Sequence, residues 1–233
     1  MNLRLLHSLA AFLAFTLTAW AGPLKIAIVG DSTVCDYPEA HPCRGWGQFI
    51  AGYFDESVTV VNRAASGRST RTFIAEKRWE KALAEKPQLV LIQFGHNDSH
   101  AKDRPEATGA ATDFRDNLRR YLDDARAVGA EPGLVTPMHR RSWKPDGTLD
   151  DILQPYADAM KAVAMEKNAP LIDLHAMSRD LYLKLGREKA AELANAPGDH
   201  THFGEKGARA MAELVMSRLT DAVPALQAKM RRP

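Results

Sequence analysis

Lys25-Ile26-Ala27-Ile28-Val29-Gly30-Asp31-Ser32-Thr33 is the stretch that decides the fold of this 233-residue chain. Its apolar run lacks the polar alternation of a half-exposed strand, which is how strands buried on both faces of a parallel sheet read. Gly30 ends the run and small polar residues follow, so a turn opens at the strand's carboxyl end. Four further runs, at 58–61, 89–94, 133–136 and 170–174, have the same character.

Between these runs the apolar period changes to that of a helix. Phe114, Leu118, Tyr121, Leu122, Ala125 and Val128 share one face, with Asp113 placed to cap the helix and Gly129 to close it. Leu153, Tyr156, Met160, Val163 and Ala164 repeat the pattern, and so do Ala208, Met211, Ala212, Val215 and Leu219. Weaker helical patterns cover 46–54, 73–85 and 178–194, the last interrupted by Gly186. Strand and helix in alternation imply an α/β domain with helices on both faces of a parallel sheet.

Ligands of open parallel sheets bind beyond the carboxyl ends of the strands. The unusual residues of this chain collect there: Gly30 to Thr33 after the first strand, Asn62 to Gly67 after the second, Gly95-His96-Asn97-Asp98 after the third, and Pro137 to Arg141 after the fourth. Asp199-His200-Thr201-His202 precedes the last helix. A serine hydroxyl is a weak nucleophile and needs a base beside it, itself oriented by a third group. Asp199 and His202 stand three residues apart, so one turn returns the carboxylate to the imidazole Nδ1 and leaves Nε2 for the serine proton. Ser32, His202 and Asp199 are therefore the candidate catalytic residues, with the backbone N–H groups of Ser32 and Gly67 and the Asn97 amide as candidate oxyanion donors. Taken singly, Ser32 reads more readily as a helix cap, and the Asp199 segment as a surface turn and Asn97 or Gly67 as turn residues are open alternatives.

Taken in order, Gly30-Asp31-Ser32, Gly67, Gly95-His96-Asn97-Asp98 and Asp199-His200-Thr201-His202 resemble the four sequence blocks of the SGNH (GDSL-type) hydrolases. Thr33, Gly45-Trp46-Gly47-Gln48, Gly67-Arg68-Ser69 and the Phe203 that follows His202 make the chain similar to rhamnogalacturonan acetylesterase-like members. The resemblance implies a flavodoxin-like three-layer α/β/α domain of about five parallel strands and deacetylation of pectic polysaccharide without a metal or other cofactor. A lipid or thioester esterase of the same fold, an acetylxylan esterase, or a binding protein that has lost turnover are the competing readings. The G-x-S-x-G elbow of the α/β-hydrolase fold is absent around Ser32. A metal site built from His200, His202 and His96 or His100 would leave the serine without a task.

Trp143, Arg140 and His200 are the candidate substrate contacts. Arg68, Arg71 and Arg141 also offer guanidinium groups for uronate carboxylates, with solvated surface charge as the plainer reading of each, and Trp46 and Trp79 offer rings for sugars, with core packing as the plainer reading. The stretch from His139 to Gly147 is read as a wall of the site.

Arg4 followed by the apolar stretch from Leu9 to Trp20 and small residues around Trp20 has the pattern of a secretory leader. Residues 1–21 are expected to be removed after Ala21, leaving 22–233 as one domain, either secreted or periplasmic. The formal charge of +2 becomes +1 with the loss of Arg4, which points to neither nucleic acid nor an anionic membrane as partner. An acetylated saccharide is the expected partner and a monomer the expected state. In an oxidising compartment Cys35 and Cys43, close in sequence, are expected to form a disulfide that braces the loop after Ser32.

Overall fold

The computed structural model describes Trp20 and residues 22–231. The expected leader otherwise lies outside the described residues. Five parallel strands, β1 (Leu24–Gly30), β2 (Val58–Asn62), β3 (Leu89–Gln93), β4 (Glu131–Val135) and β5 (Leu171–Ile172), form one sheet in the order β2-β1-β3-β4-β5. The order reverses between β1 and β3, which makes the crevice at their carboxyl ends the topological switch point of a flavodoxin-like sheet.

Successive strand residues face opposite sides of the sheet, and this parity separates two cores. Leu24, Ile26, Ile28, Leu89, Leu91 and Ile172 pack against Leu174 and Tyr182 of α5 (Leu174–Ala191) and Met211, Val215 and Leu219 of α6 (Glu205–Ala222). Ala27, Val29, Val90, Ile92 and Leu134 face the other layer: α1 (Thr70–Ala75), α2 (Arg78–Leu83), α3 (Asp113–Ala127) and α4 (Gln154–Glu166). Truncating one of the buried β1 isoleucines to alanine costs about 2–5 kcal/mol.

Several details depart from the periodicity. The 46–54 pattern folds as a 3-10 helix, Trp46–Tyr53. The 73–85 pattern splits into α1 and α2, because Lys77 between them adopts a left-handed φ of 55°. Thr112 rather than Asp113 holds the cap position of α3, and Val128 is 55 % exposed beyond its end. Gly186 does interrupt α5, with φ 76°. Strand β2 lies at the sheet edge and is only half-buried, so the expectation of burial on both faces fails there.

Candidate active site

Ser32 lies directly beyond β1, on a turn closed by the Val34 and Cys35 N–H groups donating to the Asp31 carbonyl. The turn can start at Gly30 because a Cβ there would stand 2.6 Å from the Gln93 carbonyl oxygen of β3 and 2.7 Å from Val34 Cγ2. Beneath the turn runs a buried chain of hydrogen bonds. Trp46 Nε1 donates to Gln93 Oε1 at 2.7 Å, Gln93 Nε2 to Thr33 Oγ1 at 2.7 Å, and Thr33 Oγ1 to Asp31 Oδ1 at 2.6 Å. Asp31 also accepts the Thr33 N–H and is fully buried, and burial raises its carboxyl above the usual range despite the Thr33 bonds and nearby His202 and Arg140.

The Asp199 carboxylate has two tasks. Its Oδ1 accepts the backbone N–H groups of Thr201 and His202, both at 2.7 Å, and its Oδ2 lies 2.9 Å from His202 Nδ1. Burial alone would raise this carboxyl, but those two N–H groups and the imidazole hold it below its ordinary value. An ionised carboxylate only accepts, so Nδ1 carries the ring proton and Nε2 is the lone-pair nitrogen. That nitrogen stands 3.0 Å from Ser32 Oγ. The arrangement can transfer the serine proton to the imidazole as Oγ attacks an electrophile. The pair sits on an open rim, with 36 % of the His202 and 24 % of the Asp199 side chain exposed.

The other segments are tied to this pair. Asn97 Nδ2 donates to the Arg68 carbonyl at 3.0 Å, which holds the amide beside the Gly67-Arg68 turn and leaves its second N–H without a partner among the described residues. Gly67 has φ 78°, a left-handed conformation that favours glycine, and open space where a side chain would project. Asp98 is the acceptor that orients this loop, receiving Thr70 N, Thr70 Oγ1 and Thr108 Oγ1, while burial pushes its carboxyl up to about 7. His96 is buried against Met138 Sδ rather than facing solvent, and burial first, then nearby Arg140 and His202, lowers its basicity far below that of an ordinary histidine.

The expected substrate contacts separate in the structure. His200 is exposed beside the pair. Arg140 is half-buried, with Nη2 donating to the His96 carbonyl at 3.2 Å and Nε free of partners. Trp143 packs partly against the core, with its indole N–H buried and unpartnered. Trp46 and Trp79 are wholly core residues, and Arg68 and Arg71 are ion-paired with Glu76 and Asp113. Arg141 is the residue whose role the sequence concealed. It is 2 % exposed, lies 4.4 Å over the Phe203 ring, and donates through Nη2 to the carbonyls of His202 at 2.6 Å and Asp199 at 3.2 Å. It clamps the backbone of the Asp199–His202 turn and is not placed to receive a sugar acid.

The expected Cys35–Cys43 disulfide is not formed; both are free, buried thiols. Cys35 Sγ turns back toward the Ser32 carbonyl of its own turn at 3.9 Å, whereas Cys43 Sγ accepts from Asn195 Nδ2 at 3.1 Å, so the two sulfurs serve different segments. Burial pushes the Cys35 thiol up to about 11. The brace expected of the disulfide comes instead from Tyr37, whose hydroxyl donates to the Ser32 carbonyl at 2.9 Å.

Residues 28–210 match the GDSL-like lipase/acylhydrolase family. Rhamnogalacturonan acetylesterase RhgT of Bacillus subtilis (strain 168) is 40 % identical over 209 residues, covering 83 % of this chain and 88 % of that protein. An acetylxylan esterase of Xylanibacter ruminicola is 26 % identical over 223 residues, covering 84 % of this chain and 43 % of that protein. Among solved structures, that of Bacillus subtilis YxiM superimposes with a TM-score of 0.75 at 29 % identity, covering 85 % of this chain and 56 % of that one.

Proposed function

The chain belongs to the GDSL-like lipase/acylhydrolase family and is a carboxylic ester hydrolase; from that premise we propose that it removes O-acetyl groups from pectic rhamnogalacturonan. The observation that carries the chemistry is the unbroken relay from Asp199 Oδ2 through the His202 ring to Ser32 Oγ, at 2.9 and 3.0 Å. The 40 % identity to a rhamnogalacturonan acetylesterase carries the substrate.

In this reading His202 Nε2 takes the Ser32 proton as Oγ bonds to the acetyl carbonyl carbon. The carbonyl electrons move onto oxygen, which rests on the Ser32 and Gly67 N–H groups and the Asn97 amide. Collapse expels the sugar alkoxide, which receives the proton from His202, and leaves an acetyl-serine. Water, with His202 again as base, releases acetate and restores Ser32. The partly exposed His202 and Asp199 suit a polymer that approaches along the surface, with Trp143, Arg140 and His200 as the candidate contacts. Export to the periplasm or outside the cell, on the leader at 1–21, belongs to the same proposal.

Acetate release from acetylated pectin, xylan and chitosan, by the wild type and Ser32→Ala, tests it. Serine-dependent release from pectin is expected, with kcat lower on the order of 10⁶-fold in the variant. Full turnover by Ser32→Ala would discard the mechanism. Release from xylan in place of pectin would keep the mechanism and move the substrate to that of the Xylanibacter relative.

A further inference from the structure

A second set of histidines and a carboxylate lies outside the catalytic relay. His139 follows β4, Asp151 precedes α4, and His175 is in the first turn of α5. The two histidines are 1 % and 2 % exposed, and the Asp151 side chain 26 %. His139 Nδ1 lies 2.6 Å from the Arg140 carbonyl oxygen and His175 Nδ1 lies 3.0 Å from that of Pro137. A carbonyl has no proton to give, so each Nδ1 carries one, and in a neutral ring each Nε2 then presents a lone pair. Both lone pairs face the same oxygen: Asp151 Oδ2 is 3.1 Å from His175 Nε2 and 3.4 Å from His139 Nε2.

Three acceptors converging in this way repel one another unless a positive charge lies among them. Among the described residues His139 Nε2 is buried without a hydrogen-bond partner. Protonating His175 alone would answer Asp151 but leave the buried His139 Nε2 unanswered, and protonating both rings would place two imidazolium ions side by side, with centroids 5.1 Å apart. A metal ion removes the conflict. Ligand atoms about 2.0–2.1 Å from a tetrahedral zinc are separated from one another by roughly 3.3 Å; the two separations from Asp151 Oδ2 bracket that figure, and all three atoms lie within 4.8 Å of one another. Donation of the remote ring N–H to a backbone carbonyl is also how metal-ligating histidines are commonly oriented. We propose that His139 Nε2, His175 Nε2 and Asp151 Oδ2 bind one Zn²⁺ ion, with water as the fourth ligand entering past the exposed side of Asp151.

The site lies outside the Asp199–His202–Ser32 relay. It fixes residues 137–141, the segment from which Arg141 reaches the His202 carbonyl, and so acts as a structural staple behind the catalytic turn.

The test is calorimetric titration of chelator-stripped enzyme with ZnCl₂, with a parallel Co²⁺ titration read by visible absorption. One ion per chain, a higher Tm with zinc and the d–d bands of four-coordinate cobalt are expected. Asp151→Asn and His175→Gln, checked by circular dichroism for folding, are each expected to weaken zinc by at least about tenfold and to abolish the cobalt bands. No zinc uptake by the wild type, or equal uptake by the folded variants, overturns the proposal. None of these readouts depends on ester turnover, so they stand apart from the test of the deacetylase reading.

Discussion

The catalytic turn and the His139–Asp151–His175 group each set a carboxylate against histidine, and they orient their rings in opposite senses. In the catalytic turn the carboxylate takes Nδ1 of His202 and Nε2 faces Ser32 Oγ. In the His139–Asp151–His175 group backbone carbonyls take both Nδ1 atoms and the carboxylate faces both Nε2 atoms. Exposure follows the same division, with His202 36 % open and the other two histidines 1 % and 2 %. The partner of Nδ1 decides which nitrogen is left available and therefore what a histidine can do. Beside a serine the free Nε2 is a base; two of them converging on a carboxylate are metal ligands.

Exchanging the Nδ1 partner gives the largest effect in this comparison. Asp199→Asn puts an amide beside His202 and permits the wrong tautomer, so kcat is expected to fall about 10⁴-fold; a loss below tenfold would mean that Asp199 does not set the tautomer. The same variant has a pH signature in urea unfolding. The folded Asp199 carboxyl lies below its ordinary value, so its stabilisation is fully present above the unfolded pKa of about 3.9 and is lost as the pH falls through the lower folded value. The stability difference between wild type and Asp199→Asn is therefore expected to close on acidification below pH about 4. A difference that stays constant would show that no such linkage exists.

A smaller effect is expected where the catalytic region has something the buried group lacks, a donor for a developing negative charge. Asn97→Ala removes that donor and should lower kcat by about 10²–10³-fold with little change in KM. Because Asn97 also holds the Arg68 carbonyl at 3.0 Å, Asn97→Asp provides a second arm. It keeps the side-chain shape but repels an oxyanion, and a variant with wild-type kcat would remove Asn97 from the oxyanion role.

The sequence disclosed these regions unequally. Ser32, Gly67, Asn97, Asp199 and His202 sit in short blocks that resemble those of a known family, and the unbroken apolar character of the strand runs revealed the sheet. His139, Asp151 and His175 come from three segments with no shared spacing, and only the packing of α5 beside the loop after β4 brings them together. Arg141 was misread because a guanidinium among polar neighbours looks the same in sequence whether it faces a sugar acid or the carbonyls of a buried turn. The Cys35–Cys43 expectation rested on proximity along the chain, which says nothing about where the sulfurs point. The division of 73–85 into two helices turned on one left-handed residue, Lys77, and lysine carries no signal for that conformation.

Arg141 joins the two regions, and its replacement should give the smallest effect on rate. The guanidinium bonds the His202 and Asp199 carbonyls, while its own Nε and Nη1 are buried without partners. Its desolvation is thus only partly compensated, and replacing such a buried ion with an apolar side chain of similar length is often close to neutral for stability. Arg141→Met keeps the stem against Phe203 and removes the donors, so the unfolding free energy should change by only about 1 kcal/mol. The catalytic turn, however, loses its tether, and a small displacement of His202 Nε2 from Ser32 Oγ should lower kcat by about 10- to 100-fold while leaving KM unchanged. Equal losses in stability and rate would make Arg141 an ordinary packing residue. A rate loss with stability retained would show that the segment carrying His139 on one side sets the position of the catalytic histidine on the other.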